Sequence, residues 1–302
     1  AFTIPLMRKM GYKDYFASAT EAAASAGGQI MPPIMGAASF LIADSLGVPF
    51  VQVLRAALIP AVLYYFSVWV MVDLRARKEN IQGLKKDELP KIKDTLIKRG
   101  HLLVPLFGII YMLIVGYNAI TAALVGMVLS VLTSLLKKDT RINLGALLKA
   151  MESGALGALA VAIACGIIGV IIGVVSLTGA ILAACAAILK LSGGILAVTL
   201  VLTMLTAIIL GMGLPTTACY VLTSTVAAPA IVKLGVAPMQ AHMFVFYYGI
   251  LSSITPPVAT GAYTAAGLSG ADPNETGWAA MRLAIAGFLI PFIFVYSPEL
   301  LL

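Results

Sequence analysis

The chain has 302 residues, of which 61% are hydrophobic and only 11% are charged. Soluble globular domains are about half apolar and about one quarter charged, so the two values together exclude an ordinary soluble enzyme. They also exclude a disordered chain, which would be polar and rich in charge. The net charge of +7 would suggest nucleic-acid binding only in a soluble protein, and in this chain it has to be assigned loop by loop.

Apolar segments of membrane-helix composition follow one another along the chain, without the alternation of a β-barrel. They lie at 14–31, 34–45, 49–72, 101–116, 119–136, 147–175, 178–190, 194–211, 216–233, 237–254, 258–268 and 278–297. Two of them, 34–45 and 258–268, are too short to cross about 30 Å of hydrocarbon at about 1.5 Å per residue. Each follows directly after a Pro pair, so we expect an all-α polytopic membrane protein with helices broken inside the membrane.

Basic residues concentrate in two polar stretches and near the start of the chain. The stretch 73–100 holds nine Lys or Arg residues, and 137–149 holds four more. Two spans lie between these stretches and return the chain to its starting side, so both stretches face the same side as Arg8, Lys9 and Lys13. Sixteen of the twenty basic residues then lie on one side, which the positive-inside rule identifies as the cytoplasm.

An internal repeat is visible at a constant offset of 224 residues. Pro5, Lys9 and Gly11 correspond to Pro229, Lys233 and Gly235, and the Pro pair at 32–33 corresponds to the pair at 256–257. The two copies have opposite orientations if segment 178–190 lies along the membrane interface, and they are parallel if that segment crosses. Inverted repeats with broken helices at corresponding positions are typical of secondary transporters.

The repeat predicts how the chain is organised. Residues 1–72 are expected to be the C-terminal part of a first repeat, with the end of a first hairpin, a broken helix and a following span. Residues 73–100 are expected to form a basic cytoplasmic loop, and 101–302 a second repeat. The second repeat would contain scaffold spans at 101–190, a re-entrant hairpin at 194–233, a broken helix at 237–268 and a last span at 278–297. The first arm and tip of the first hairpin have no counterpart, so we expect the C-terminal portion of a longer permease.

Three breaks are candidates for the chemistry of coupled transport, at 26–33, at the hairpin tip 211–217 and at 249–257. A broken helix frees backbone carbonyls, which together with hydroxyls are suitable ligands for Na⁺. The last two breaks carry such hydroxyls, namely Thr216, Thr217, Ser252, Ser253 and Thr255. The alternative is a helix kink in which Ser and Thr bond back to their own helix, but the repeat-related positions favour a site.

Glu21 lies about one third of the way into segment 14–31, among small residues. An acid within a membrane helix indicates a functional site by default, which suggests a role in coupling. The other interpretation, an interfacial carboxylate paired with Lys13 about two turns away, is the one that the sequence favours.

Two long motifs resemble a known family. They are EAAASAGGQIMPPIMGAA at 21–38 and GMGLPTTACY at 211–220. Both are similar to the large membrane subunit of tripartite ATP-independent periplasmic (TRAP) transporters, and most similar to the fused permeases that work with TAXI-type binding proteins. The resemblance implies a non-enzymatic, Na⁺-driven importer of an organic acid, such as a dicarboxylate or 2-oxo acid, in the bacterial inner membrane.

The same resemblance implies a mechanism and partners. A transport domain would move against a scaffold like an elevator, with Na⁺ as coupling ion and no cofactor. The partners would be a periplasmic substrate-binding protein and a small membrane subunit, which is fused upstream in such proteins.

Roles of individual residues are also implied by the resemblance. The second hairpin tip would be formed by Gly213, Pro215, Thr216 and Thr217. Facing it across one Na⁺ site would be Ser252, Ser253, Thr255 and Pro256. Gly27 and Gly28, beside Gln29 and Pro32, would be the surviving half of the other ion site. The substrate anion would lie between the hairpin tips, with Gln29, Pro32, Thr217 and Ser253 as its expected contacts.

Three other classes of protein are alternatives. An elevator-type Na⁺/dicarboxylate or other anion symporter without a binding protein would share the repeat. An intramembrane enzyme would need a catalytic pair or metal ligands within the spans, and the sequence contains no such His, Asp, Glu or Cys cluster. A purely structural membrane scaffold would give no reason for breaks at repeat-related positions.

Overall fold

The computed structural model describes residues 3–81, 83, 96–97 and 99–301. Within these ranges the chain forms α-helices and short 3₁₀ turns, and no strand occurs. The prediction of an all-α polytopic membrane protein is confirmed. Half of the predicted basic loop at 73–100, residues 82, 84–95 and 98, lies outside the described residues.

Helices make up most of the described ranges. The first seven are α1 Thr3–Lys9, α2 Asp14–Gly28, α3 Ala38–Leu46, α4 Phe50–Lys78, α5 Val104–Val115, α6 Ala119–Ser134 and α7 Leu144–Leu177. The next eight are α8 Ala180–Ser192, α9 Leu196–Gly211, α10 Thr216–Val226, α11 Ala228–Val232, α12 Pro238–Leu251, α13 Thr260–Ser269, α14 Pro273–Leu283 and α15 Ile285–Tyr296. Single 3₁₀ turns lie at Gly100–Leu103, Lys138–Thr140, Ser252–Ile254 and Pro298–Leu301.

Within the described residues, three stretches are long and apolar enough to cross a membrane, judged by length and composition. They are Phe50–Lys78, Leu144–Leu177 and Pro273–Tyr296. Large apolar side chains are exposed along α4, including Phe66 at 60% and Trp69 at 64%. Exposed apolar surface of this extent is expected where lipid covers the protein.

Several helix ends differ from the sequence prediction. The span predicted to end at residue 72 continues to Lys78 as part of α4. Charged residues extend it because they pair along the helix surface, Arg77 Nε with Asp73 Oδ2 at 2.8 Å and Arg75 Nη2 with Glu79 Oε1 at 2.5 Å. Such i,i+4 pairs stabilise an exposed helix end.

The hairpin arm and the last span are each divided in two. The predicted arm 216–233 is broken at Ala227, between α10 and α11, close to Pro229, which has no N–H to continue the helix. The last span begins at Pro273 rather than at 278, because the Asp272 side chain accepts a hydrogen bond from the Glu275 N–H at 2.8 Å and caps α14.

Helix packing divides the chain into two compact units. The first comprises Ala1–Val48, Gln52–Gln82 and Ile163–Leu302, and the second comprises Pro49–Val51 and Gly83–Ala162. In the second unit α5 packs against α6, and the approach is close because a Cβ on Gly108 would lie only 2.3 Å from Leu129 Cδ1. Small residues allow such close approach of membrane helices.

The core of the first unit is built around α12. Every residue from 243 to 251 is buried, as expected for a helix that is apolar on all sides and covered by other helices. α12 packs against α9, α10, α15 and α3. Aromatic rings fill the contacts, with Tyr247 against Phe294 at 5.8 Å and Phe244 against Tyr248 at 4.8 Å between ring centroids.

Backbone features recur at the offset of 224 residues. α2 begins at Asp14 and α12 at Pro238, which differ by this offset. Positive φ angles also correspond, Gly11 at 103° with Gly235 at 88° and Met35 at 48° with Ala259 at 26°. The Pro32–Pro33 and Pro256–Pro257 bonds are both cis. The sequence correspondence is therefore matched by the same local backbone in both places.

Candidate functional site

α9 and α10 form a helical hairpin whose tip at 212–215 packs against the break that follows α12. A Cβ on Gly211 would lie 2.5 Å from Cys219 Sγ and 2.7 Å from Ser252 Oγ. Gly213 has a φ of 76°, a conformation that other residues adopt at a cost. The approach of the tip to the break therefore depends on glycine.

The break after α12 has a simple chemical cause. Pro256 and Pro257 carry no N–H, so the carbonyls of Ser252 and Ser253 lose the donors that a continuous helix would supply. The Ser252 carbonyl instead accepts a hydrogen bond from the Thr255 N–H at 3.3 Å. The chain turns through one 3₁₀ segment and resumes as α13 at Thr260.

Three hydroxyls at the break donate to their own helix. Ser252 Oγ donates to the Gly249 carbonyl at 2.7 Å, Ser253 Oγ to Ile250 at 2.7 Å and Thr255 Oγ1 to Leu251 at 2.6 Å. This is the back-bonding expected of a kink. A hydroxyl that donates its proton keeps oxygen lone pairs, so the same geometry orients possible cation ligands.

A cavity of about 440 Å³ lies where the hairpin tip, the break, α2 and α13 meet. Ligand pockets of small molecules commonly have volumes of about 300–1,000 Å³. Its polar lining comes from all four elements and consists of Glu21, Ser25, Gln29, Thr216, Ser253, Thr260 and Thr264. The cavity is open and is walled on the remaining sides by apolar residues of the same helices.

α2 and α13 run antiparallel along this cavity. Ser18, near the start of α2, donates to the hydroxyl of Ser269, the last residue of α13, at 2.7 Å. At the other end, Gln29 and Thr260 line the same cavity. The half-helix before the first Pro pair therefore lies beside the half-helix after the second.

Only some of the predicted site residues line the cavity. Those that line the cavity are Gln29, Pro215, Thr216 and Ser253. Those placed outside its lining are Gly27, Gly28, Pro32, Gly213, Thr217, Ser252, Thr255 and Pro256. The roles assigned to all of them stay predictions.

Gly27 and Gly28 face α4 instead of the cavity. A Cβ on Gly27 would lie 2.4 Å from Tyr64 Cε1, and one on Gly28 would lie 3.7 Å from the Tyr65 hydroxyl. The two tyrosines hold α2 through its carbonyls, since their hydroxyls donate to the carbonyls of residues 23 and 24, each at 2.8 Å. The glycines therefore allow α4 to pack closely on the end of α2.

The whole chain matches the model of one protein family. The family model described as "Tripartite ATP-independent periplasmic transporter, DctM component" matches residues 1–302. The chain belongs to this family. The DctM component is the large membrane component of TRAP transporters, so the predicted resemblance to the large TRAP subunit is confirmed. Among curated proteins, no match was found.

Membership of the DctM family sets the broad function. DctM is a transporter family and not an enzyme family, and the chain is accordingly a membrane component of a transporter. TRAP transporters of this kind work with a periplasmic binding protein and a small membrane subunit.

The sequence prediction did not include three polar residues that line the DctM cavity, namely Ser25, Thr260 and Thr264. Thr260 and Thr264 are spaced i,i+4 and share a helix face directly after the second Pro pair, which was a usable signal. Gly261 lies between them, and a Cβ there would lie 3.2 Å from the Ser253 carbonyl oxygen. α13 therefore begins in close contact with the break.

The electrostatics of the DctM cavity combine two opposite influences. α13 begins at Thr260, and a helix N-terminus carries a partial positive charge that favours anions. Glu21 on α2 supplies a carboxylate to the same lining. Among the described residues that line the cavity there is no Lys or Arg, so an anion bound there would depend on N–H groups, hydroxyls and any bound cation.

Proposed function

We propose that this DctM chain is the Na⁺-coupled permease of a TRAP transporter in the bacterial inner membrane. It would import an organic acid that a periplasmic binding protein delivers. The observation that carries the proposal is the close approach of the hairpin tip to the broken helix beside one polar cavity, in a chain that belongs to a transporter family.

Na⁺ is proposed to bind between the tip and the break. Carbonyls of Ser252 and Ser253 are released from helical bonding by the Pro pair, and hydroxyls of Thr216 and Ser253 line the cavity nearby. Gly213, Pro215 and Thr217 would complete the tip side, and Thr255 and Pro256 the helix side. Carbonyl and hydroxyl oxygens together are the hard ligands that Na⁺ requires.

A second ion site is proposed at the first break. Pro32 lacks the N–H that a continuous helix would offer to the Gly28 carbonyl, so this oxygen is also released. Gln29 shows the same effect, because its carbonyl accepts from the Gly36 N–H at 2.8 Å, outside any helix. The corresponding backbone at both breaks supports two related sites.

The substrate is proposed to be a dicarboxylate, a 2-oxo acid or a similar organic acid. Its carboxylate would meet the N-terminus of α13, with Gln29, Ser253 and the hydroxyls of Thr260 and Thr264 around it. Bound Na⁺ would offset the charge of the anion, which couples the two binding events. Glu21 lines this cavity, and its position supports a role in coupling rather than simple interfacial pairing.

An inverted repeat and an elevator movement are part of the proposal. α2 corresponds to α12 by sequence offset and backbone, yet α2 runs antiparallel to α13. If the broken helix keeps one direction through its break, α2 and its counterpart α12 also run in opposite directions. This arrangement favours inverted copies, which place substrate sites near the membrane midplane. We also assign the TAXI-associated type with a fused small subunit, on the two sequence motifs.

Uptake into proteoliposomes tests the function. The full transporter is reconstituted, a Na⁺ gradient is imposed, and entry of radiolabelled succinate and 2-oxoglutarate is measured with and without the cognate binding protein. We expect uptake only with Na⁺ outside and the binding protein present. Uptake driven by a pH gradient but not by Na⁺ would refute sodium coupling. Uptake that ignores the binding protein would favour the alternative, an elevator-type anion symporter without such a partner.

A further inference from the structure

A second cavity of about 330 Å³ lies away from the transport site, between α2, α4 and α14 of the first unit. One part of its wall is apolar and consists of Phe16, Met71, Leu74, Ala279 and Leu283. The other part carries three cations, Arg75, Lys78 and Arg282, beside Tyr15. Among the described residues that line it, none is acidic. The cavity is therefore amphipathic, with positive charge at one side.

Arg75 forms a fixed part of this wall. Its Nη2 pairs with Glu79 Oε1 at 2.5 Å and donates to the Tyr15 hydroxyl at 2.9 Å. Its guanidinium also lies over the Phe16 ring, 5.3 Å from the ring centroid. These contacts hold one cation in place, and they neutralise it in part through Glu79.

Lys78 and Arg282 are different, because neither forms an ion pair with any acid in the part of the chain that the structure describes. Both are exposed. Glu275 and Trp278 line an adjoining cavity to which Arg282 also belongs, but neither lines the cavity between α2, α4 and α14. Two cations that pair with no acid among the described residues therefore face this opening, and none of the described residues in its wall is acidic.

The cavity lies at the polar end of a membrane-crossing helix. Along α4 the side chains of Phe66 and Trp69 are exposed one after the other, and Lys78 ends the helix. Trp278 is 51% exposed beside the same opening. Exposed Trp residues mark the level of the lipid headgroups, and Lys and Arg follow on the aqueous side.

We propose that this cavity binds the headgroup of an anionic phospholipid. The phosphate would meet Lys78 and Arg282, and the upper acyl chain would cover Met71 and Leu74. A free phosphate would match the cations but not the apolar wall, whereas a phospholipid matches both. Basic pockets between membrane helices bind acidic headgroups by this combination. The site involves neither the hairpin tip nor the break at either Pro pair.

Lipid titration of the purified full transporter tests the proposal without using transport. The midpoint of thermal unfolding is measured in neutral detergent against dioleoylphosphatidylglycerol, dioleoylphosphatidylcholine and glycerol 3-phosphate. The test variant is Lys78→Gln with Arg282→Gln. The matched control is Lys149→Gln with Lys233→Gln, which removes the same charge from exposed residues outside the cavity.

We expect phosphatidylglycerol to raise the unfolding midpoint of the wild type and the control at the same concentration. The test variant should need roughly 25-fold more of this lipid, since each Lys or Arg near an acidic headgroup contributes about fivefold in affinity. An equal effect of phosphatidylcholine would overturn the proposal, as would an equal loss in the control. Saturation by glycerol 3-phosphate would indicate a soluble anion site instead. No effect of any additive, as expected if another protein segment covers the cavity, would also refute lipid binding.

Discussion

The two Pro-broken helices have the same local backbone conformation at their breaks but differ in what packs against them. At the second break, 252–259, the hairpin tip approaches so closely that Gly211 has no space for a side chain. Ser252 and Ile254 are buried there. This break is enclosed on the side of the tip, and Ser253 within it lines the polar cavity.

The first break, 28–35, packs against α4, and Ile30 and Met35 within it are buried. Tyr64 and Tyr65 of α4 pack against the end of α2, while Gly28 and Ile34 are exposed, the latter at 63%. The comparison shows that a Pro pair determines where a helix breaks. What the break can bind depends on the element that packs over it.

Gly211→Ala should have the largest effect, because it pushes the hairpin tip away from the second break. The added methyl would overlap Cys219 Sγ and Ser252 Oγ, which should cost about 1–3 kcal/mol and reduce Na⁺-driven uptake at least about tenfold. The control is Gly267→Ala on α13, where a Cβ would meet nothing within 4 Å. Equal uptake by the two variants would show that close contact of tip and break is not needed.

Thr216→Ala and Ser253→Ala should weaken the second break as an ion site without moving its backbone. Each substitution removes one oxygen ligand of the cation. The Na⁺ concentration for half-maximal stabilisation should then rise about tenfold, an effect similar in size to the loss of a hydrogen bond to a charged group. Thermal unfolding in NaCl, with KCl at equal ionic strength, measures this. Thr225→Ala, whose hydroxyl bonds to its own helix at 2.7 Å far from the tip, serves as control. Unchanged Na⁺ dependence in both test variants would refute the assigned ligands.

Tyr64→Phe should destabilise the first break by about 1 kcal/mol, since it removes a buried hydrogen bond to the Ala23 carbonyl. Tyr65→Phe removes a bond of equal length to the Ala24 carbonyl, but Tyr65 is only half-buried, so its surroundings can relax around the lost hydroxyl and the loss of stability should be smaller. The difference is measured by thermal or detergent unfolding of the two variants. Equal losses would mean that burial does not distinguish the two tyrosines.

Ser18→Ala should have the smallest effect, about 0.6 kcal/mol, which is typical of one hydrogen bond between membrane helices. It removes the contact of α2 with Ser269 on α13 but leaves both breaks intact. The control is Thr20→Ala, because the Thr20 hydroxyl donates within α2 itself, to the Phe16 carbonyl at 2.9 Å. A double-mutant cycle of Ser18→Ala with Ser269→Ala should show coupling, and additive losses would contradict an interhelical bond.

Local chemistry explains which features could be predicted from the sequence. Helices, the two breaks, the hairpin and the repeat depend on apolar length, on Pro without an N–H and on Gly at close contacts. Errors arose where a local signal was underweighted, as at Asp272, whose cap starts α14 earlier than predicted, and at Ala227, where the hairpin arm divides.

Which residues line the cavity could not be predicted in the same way. Thr260 and Thr264 line it although only the residues before the Pro pair were proposed, and Ser252 turns away while its neighbour Ser253 faces in. Across a break the helical period is lost, so the face of one half does not predict the face of the other.

Sequence by itself therefore determined an all-α membrane protein of the DctM family with two corresponding broken helices. Only the tertiary structure decided that α2 lies antiparallel to α13, and that Glu21, Gln29, Thr216 and Ser253 share one cavity. The physical reason is that a missing N–H acts within one turn of the chain. The shape of a cavity depends instead on the packing of helices that are distant in sequence.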